Sequence, residues 1–115
     1  MGKNLCAPPS SPVGKAVRYI YSQYARPLSV DEVAKASGIT SSALCRAFKI
    51  SCGMTLFEFI NKVRIDNVCK LLFATDHTIS EIAFKCGFQS LSNFNRQFQK
   101  VKGMSPTNYI SGLQQ

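Results

Sequence analysis

A 115-residue chain that is 45% hydrophobic can bury a core, which excludes wholesale disorder, but it is long enough only for one ordinary domain or two very small units. Its 14 Lys and Arg against 6 Asp and Glu give a net charge of +8, which favours an anionic partner, nucleic acid first and an acidic membrane surface second. The basic residues are spread along the whole chain rather than gathered in a tail.

Met1–Pro12 (MGKNLCAPPSSP) is rich in Pro and Ser and reads as a flexible arm or interdomain linker. Val13–Tyr24 then places Val13, Ala16, Val17, Ile20 and Tyr24 on one helical face, and Arg26-Pro27 ends that helix. Ser29-Val-Asp-Glu32 is a capping box opening a second helix, with Val30, Val33 and Ala34 on its apolar face. Gly38 follows where a helix end needs positive φ, and Ser41 is placed to cap a third helix carrying the apolar pair Leu44/Phe48. Thr55-Leu-Phe-Glu58 is another capping box and opens a long helix to about Ala74, apolar at Leu56, Ile60, Val63, Val68, Leu71 and Leu72 and widened by Phe57, Ile65 and Cys69.

After that helix the chain repeats itself. Thr78-Ile-Ser-Glu81 copies the Ser29 box, Ile79, Ile82 and Ala83 copy its apolar face, and Gly87, Ser90 and Phe94/Phe98 copy Gly38, Ser41 and Leu44/Phe48. Arg46/Arg96, Gly53/Gly103, Met54/Met104, Phe59/Tyr109 and Ile60/Ile110 extend the match, and Ser105-Pro106 opens a last short helix. The copies lie about 50 residues apart, and two of them make a two-unit device rather than a solenoid. Each unit is a helix, a tight turn and a second helix, which is the pattern that carries a recognition helix into the DNA major groove. The expected fold is therefore all-α, about seven helices in two helix-turn-helix units: an arm at 1–12, the first unit at 13–54, a connecting helix at 55–74 and the second unit at 75–115. A helix of that length measures roughly 30 Å, close to the 34–36 Å or so of one DNA turn. One chain could thus set two recognition helices in successive major grooves and read an asymmetric or direct-repeat-like site.

The faces opposite the apolar pairs supply the expected base-reading residues. These are Ser42, Cys45, Arg46 and Lys49 on the first recognition helix and Ser92, Asn93, Asn95, Arg96 and Gln99 on the second. Arg pairs bidentately with guanine, and Asn or Gln with adenine. Cys45, like Ala43, suits either contact with a thymine methyl or simple packing. Thr40, Ser41, Lys85, Gln89, Ser90, Lys100 and Lys102 are expected phosphate contacts, since helix N-termini and exposed lysines hold the backbone. The single histidine, His77, sits beside Asp76 in a turn with no third member, so no catalytic residue is assigned, and no cofactor is expected. The five cysteines form no CxxC pair and assign no metal site. Their odd number without an apolar leader points to reduced thiols in the cytoplasm, and no apolar run is long enough to span a membrane.

The run Ile79–Ile110 closely resembles the signature of the AraC/XylS family of bacterial transcriptional regulators. The resemblance rests on Ile82-Ala83, Gly87-Phe88, Ser92 with Phe94, Arg96-Gln97-Phe98 and Gly103-Met104-Ser105-Pro106, with Tyr109 after. More generic likeness extends back to Val13, and Arg64 with Leu71-Leu72 is similar to the family's central-helix pattern, with Val68 where a small Ala is common. The resemblance implies a domain of two helix-turn-helix units joined by a long helix that positions RNA polymerase at promoters, usually as an activator. It implies base reading at positions matching Ser42, Cys45, Arg46, Ser92, Asn93, Asn95 and Arg96. Some members carry larger base-reading side chains at the positions of Ser42 and Cys45, so it also implies less specificity from the first unit. For most members it further implies a separate effector-binding or dimerisation domain, often N-terminal to this one, which would make the chain a fragment of a longer regulator, while other members consist of this domain alone. Two other classes compete: a helical protein-interaction module with an incidental basic surface, and an RNA binder, which would show aromatics for base stacking where this chain has them at core-like spacing.

Overall fold

The computed structural model describes residues 7–113, and within them the chain forms seven helices and no strand: α1 Pro12–Gln23, α2 Val30–Ser37, α3 Ser41–Cys52, α4 Leu56–Ala74, α5 Ile79–Lys85, α6 Leu91–Lys102 and α7 Pro106–Leu113. The chain divides into two compact units, the first ending at Ile60 and the second starting at Asn61, so the boundary falls inside α4. Residues 1–6 of the expected arm lie outside the described residues. Its last part is structured: Ser11 donates its hydroxyl to the Pro8 carbonyl at 2.7 Å and accepts the Gly14 N–H, which caps α1. Gly14 is required there, because a Cβ would lie 1.9 Å from the Pro8 carbonyl oxygen.

In the first unit Val13, Ala16, Val17 and Ile20 of α1, Val33 and Ala34 of α2, and Leu44 and Phe48 of α3 are buried together with Leu56, Phe59 and Ile60 from the start of α4. Phe48 packs edge-on against Phe59 at 5.3 Å between ring centroids, and Tyr21 packs on the other side of Phe59 at 5.9 Å. In the second unit the core is Val63, Ile65, Val68 and Cys69 of α4 with Ile82, Ala83, Cys86, Phe88, Phe94 and Phe98. Its aromatics form a continuous run, Phe88 on Phe94 at 5.2 Å, Phe94 on Phe98 at 5.7 Å and Phe98 on Tyr109 at 5.4 Å. Phe48/Phe59 and Phe98/Tyr109 are matched pairs in the sequence repeat, so the repeat is one of contacts as well as letters. Phe57, expected to widen the apolar side of α4, is instead 53% exposed.

The capping signals resolve unevenly. Thr55/Glu58 and Thr78/Glu81 are reciprocal boxes, each Thr accepting the Glu N–H and each Glu carboxylate accepting the Thr N–H. At Ser29 only half of the box forms. Ser29 accepts the Glu32 N–H at 3.1 Å, but the Glu32 carboxylate accepts from the Tyr19 hydroxyl and the Arg26 guanidinium, while Arg26 also donates to Tyr19 at 2.8 Å. Glu32 thus ties α2 to α1 and to the segment between them. The bond from Tyr19, reinforced by that from Arg26, holds its carboxyl below the usual carboxylate range. A depressed carboxyl pKa contributes stability that is fully present above that range and is lost as pH falls through the lowered value. Glu32→Gln is therefore expected to lower Tm at neutral pH and to flatten the loss of Tm on acidification. Identical pH dependence of melting in wild type and variant would show that the network adds nothing.

Cys45, Cys52, Cys69 and Cys86 are thiols outside any disulfide. Burial, with a smaller contribution from Cys69, pushes the Cys86 thiol up to about 11, so it behaves as a small core hydrophobe. Among the described residues no helix is long and apolar enough to cross a membrane.

Candidate nucleic-acid interface

Both recognition helices are 12 residues long and begin from a hydroxyl cap: Thr40 accepts the Ala43 N–H at 3.2 Å to start α3, and Ser90 accepts the Asn93 N–H at 3.1 Å to start α6. This corrects the expected register. Ser41 does not cap α3; it is the first helical residue and matches Leu91, while Thr40 matches Ser90. The extra residue of the second unit therefore sits in its turn. Gly38 ends α2 directly at φ 80°, whereas α5 ends at Cys86, with Gly87 following at φ 105°. From there Ile39 leads straight to the Thr40 cap, and Phe88 reaches the Ser90 cap through Gln89.

Burial fixes the outward faces. Leu44 and Phe48 are fully enclosed on α3, as are Phe94 and Phe98 on α6. One helical turn presents neighbours at i+3 and i+4 on the same side, so the other side must face solvent. Ser42, Cys45, Arg46 and Lys49 are exposed on α3, and Ser92, Asn95, Arg96 and Gln99 on α6, with Asn93 half-buried at the edge. Exposure removes the packing reading of Cys45. On α6 the Asn93 side-chain oxygen accepts from Arg96 Nη2 at 3.0 Å and lies 3.5 Å from Gln97 Nε2.

The expected phosphate contacts differ in what they have to offer. Lys85, Gln89 and Lys100 are exposed. Thr40 and Ser90 spend an oxygen lone pair on their caps, yet each hydroxyl still carries a donor. Ser41 donates its hydroxyl to the Asp31 carboxylate, so its proton is engaged. Lys102 is half-buried, 3.9 Å from Asp66 and 5.9 Å from the centre of the Tyr109 ring. Asp76 and His77 are exposed, and His77 lies 3.7 Å from Glu81 in the first turn of α5. Sequence reasoning passed over two apolar residues on these faces, Ile50, 77% exposed on α3, and Leu91, 39% exposed at the start of α6. The phase of each helix, four residues after Arg46 and one after the Ser90 cap, could have located them.

A helix-turn-helix domain family matches residues 33–112. The probable transcriptional regulator LumQ of Photobacterium leiognathi is 31% identical over 79% of this chain, which spans only 37% of LumQ. The HTH-type transcriptional activator AarP of Providencia stuartii is 34% identical over 87% of this chain and 74% of AarP. The solved structure of a probable AraC family transcriptional regulator from Rhodopseudomonas palustris superposes with a TM-score of 0.76 at 29% identity, covering 84% of this chain and 92% of that one. The chain belongs to the AraC/XylS family. It is accordingly a DNA-binding unit of transcription regulation. The chain spans about a third of the first relatives it matches.

Proposed function

We propose that the chain binds promoter duplex DNA sequence-specifically by laying α3 and α6 in successive major grooves, with α4 as the connecting helix. The observation that carries this reading is the outward presentation of the two matched arginines, Arg46 and Arg96, by the enclosed pairs Leu44/Phe48 and Phe94/Phe98. In this reading Ser42, Cys45, Arg46 and Lys49 face bases from α3, and Ser92, Asn95, Arg96 and Gln99 from α6, with Asn93 at the edge of that face. Thr40, Ser41, Lys85, Gln89, Ser90, Lys100 and Lys102 hold phosphates. Ser41 must exchange its Asp31 carboxylate for the DNA, and Lys102 must leave Asp66. The α6 face is the richer in bidentate chemistry, so the second unit supplies most of the specificity. The role is activation through RNA polymerase in the bacterial cytoplasm, with effector binding or dimerisation in a separate N-terminal domain; the first relatives, about three times the length of the matched region, leave room for such a domain.

Selection from random duplexes followed by affinity measurement tests the proposal. An asymmetric motif with two blocks about one helical turn apart is expected. Arg96→Ala is expected to cost about 1–3 kcal/mol against the selected site and to relax preference at one base pair. An unchanged motif and affinity in that variant would remove Arg96 from base reading.

A further inference from the structure

We infer that Asn93 is a positioning residue, which holds the Arg96 guanidinium for base reading instead of reading a base itself. The inference rests on the proposed base-reading role of Arg96. Arginine has no acceptor, so the atom of Asn93 that meets Arg96 Nη2 at 3.0 Å is the carbonyl oxygen. The same oxygen lies 3.5 Å from Gln97 Nε2. A carbonyl oxygen has two lone pairs, and both are directed at neighbours on α6. Bidentate pairing with adenine needs that oxygen to accept from N6 while the amide donates to N7, so Asn93 can pair in this way only by releasing Arg96 or Gln97. The backbone of Asn93 is itself pinned, its N–H donating to the Ser90 cap at 3.1 Å, which fixes the point from which the side chain reaches Arg96.

The other unit lacks this device. Aligned by their caps, α3 has Ala43 where α6 has Asn93, and Ala43 offers no side-chain acceptor to Arg46. An exposed arginine has many rotamers, and guanine recognition requires its planar fork in one orientation. Holding that fork before DNA arrives lowers the ordering cost of binding. The repeated arginines therefore differ in function: Arg96 is preset for one base pair, and Arg46 is not.

The test measures affinity of the full chain for its selected duplex and for single-base variants at fixed salt. Wild type is expected to discriminate by about 5- to 150-fold at the base pair that depends on Arg96. Asn93→Ala should lose most of that discrimination at the same base pair, and adding Arg96→Ala should reduce it no further than Arg96→Ala alone. Asn93→Asp keeps the acceptor but loses the amide donors. It should retain the discrimination while weakening binding to every sequence alike, because it adds a negative charge near phosphates. Ala43→Asn should sharpen preference within the block read by the first unit. The inference is overturned if Asn93→Ala relaxes a base pair other than that of Arg96, or if Asn93→Asp loses discrimination as fully as Asn93→Ala, since either marks direct reading. It is also overturned if Asn93→Ala changes nothing while Arg96→Ala does. Should Arg96→Ala itself leave discrimination intact, the base-reading role of Arg96 falls and this inference with it.

Discussion

Phe98→Ala is expected to destabilise the second unit by about 3–5 kcal/mol, a large share of the roughly 5–15 kcal/mol that holds a small domain together. Phe98 is fully enclosed and touches aromatic neighbours on two sides, Phe94 at 5.7 Å and Tyr109 at 5.4 Å. Truncation removes its burial, both edge-on contacts, and the filling of a space lined by rigid rings that cannot close over the gap. Phe98→Leu keeps most of the volume and should cost far less, about 1–2 kcal/mol. Urea denaturation followed by circular dichroism measures both, and a loss under about 1 kcal/mol for the alanine variant would mean that α6 is held by something other than this aromatic run. The effect on DNA should also have a distinct form. Phe98 holds α6 rather than facing the bases, so its loss should weaken binding to all duplexes together, whereas Arg96→Ala acts at one base pair.

Much of this fold is legible because it is written twice and in local chemistry. The boxes at Thr55 and Thr78 need only four consecutive residues to form, and the apolar pairs on α3 and α6 need only helical phase, so both could be read from the letters. The same phase placed Arg46, Lys49, Asn95, Arg96 and Gln99 on solvent-facing surfaces. Three features were not legible, each for a physical reason. Thr40 and Ser41 are adjacent and either can cap a helix. The choice depends on the length of the preceding turn, which differs between the units by Gln89. Glu32 has the sequence of a capping-box acid, but its carboxylate is drawn to Tyr19 and Arg26, and that competition exists only once α1 and α2 have packed. The bond from Arg96 to Asn93 is a rotamer choice between long side chains, for which sequence spacing gives an opportunity but no preference. The site was thus readable as a set of positions, while the pairings that decide which positions are preset belong to the folded molecule.

Raising monovalent salt from about 50 to about 200 mM is expected to weaken binding to the selected duplex by roughly 15- to 40-fold. The cations proposed to hold phosphate are Lys85, Lys100 and Lys102, and each phosphate neutralised releases condensed counterions, steepening the log–log salt slope by about 0.9. Two local features trim the total. Lys102 must give up Asp66 and the Tyr109 ring before it can serve a phosphate. At the start of α3, Asp31 holds the Ser41 hydroxyl and adds a negative charge where phosphate would approach. The slope should accordingly lie between about −2 and −2.7, which fluorescence anisotropy on a labelled duplex resolves. Lys85→Ala, which removes an exposed charge at the end of α5, should reduce the slope by about 1 without altering the selected motif. Arg96→Ala should act mainly on the motif. A slope shallower than about −1 would mean that these lysines do not line the DNA backbone. Sequence preference would then rest on base contacts alone. Because Lys85, Lys100 and Lys102 all belong to the second unit, the number of blocks in the selected motif, and not the slope, reports whether the first unit reads DNA as well.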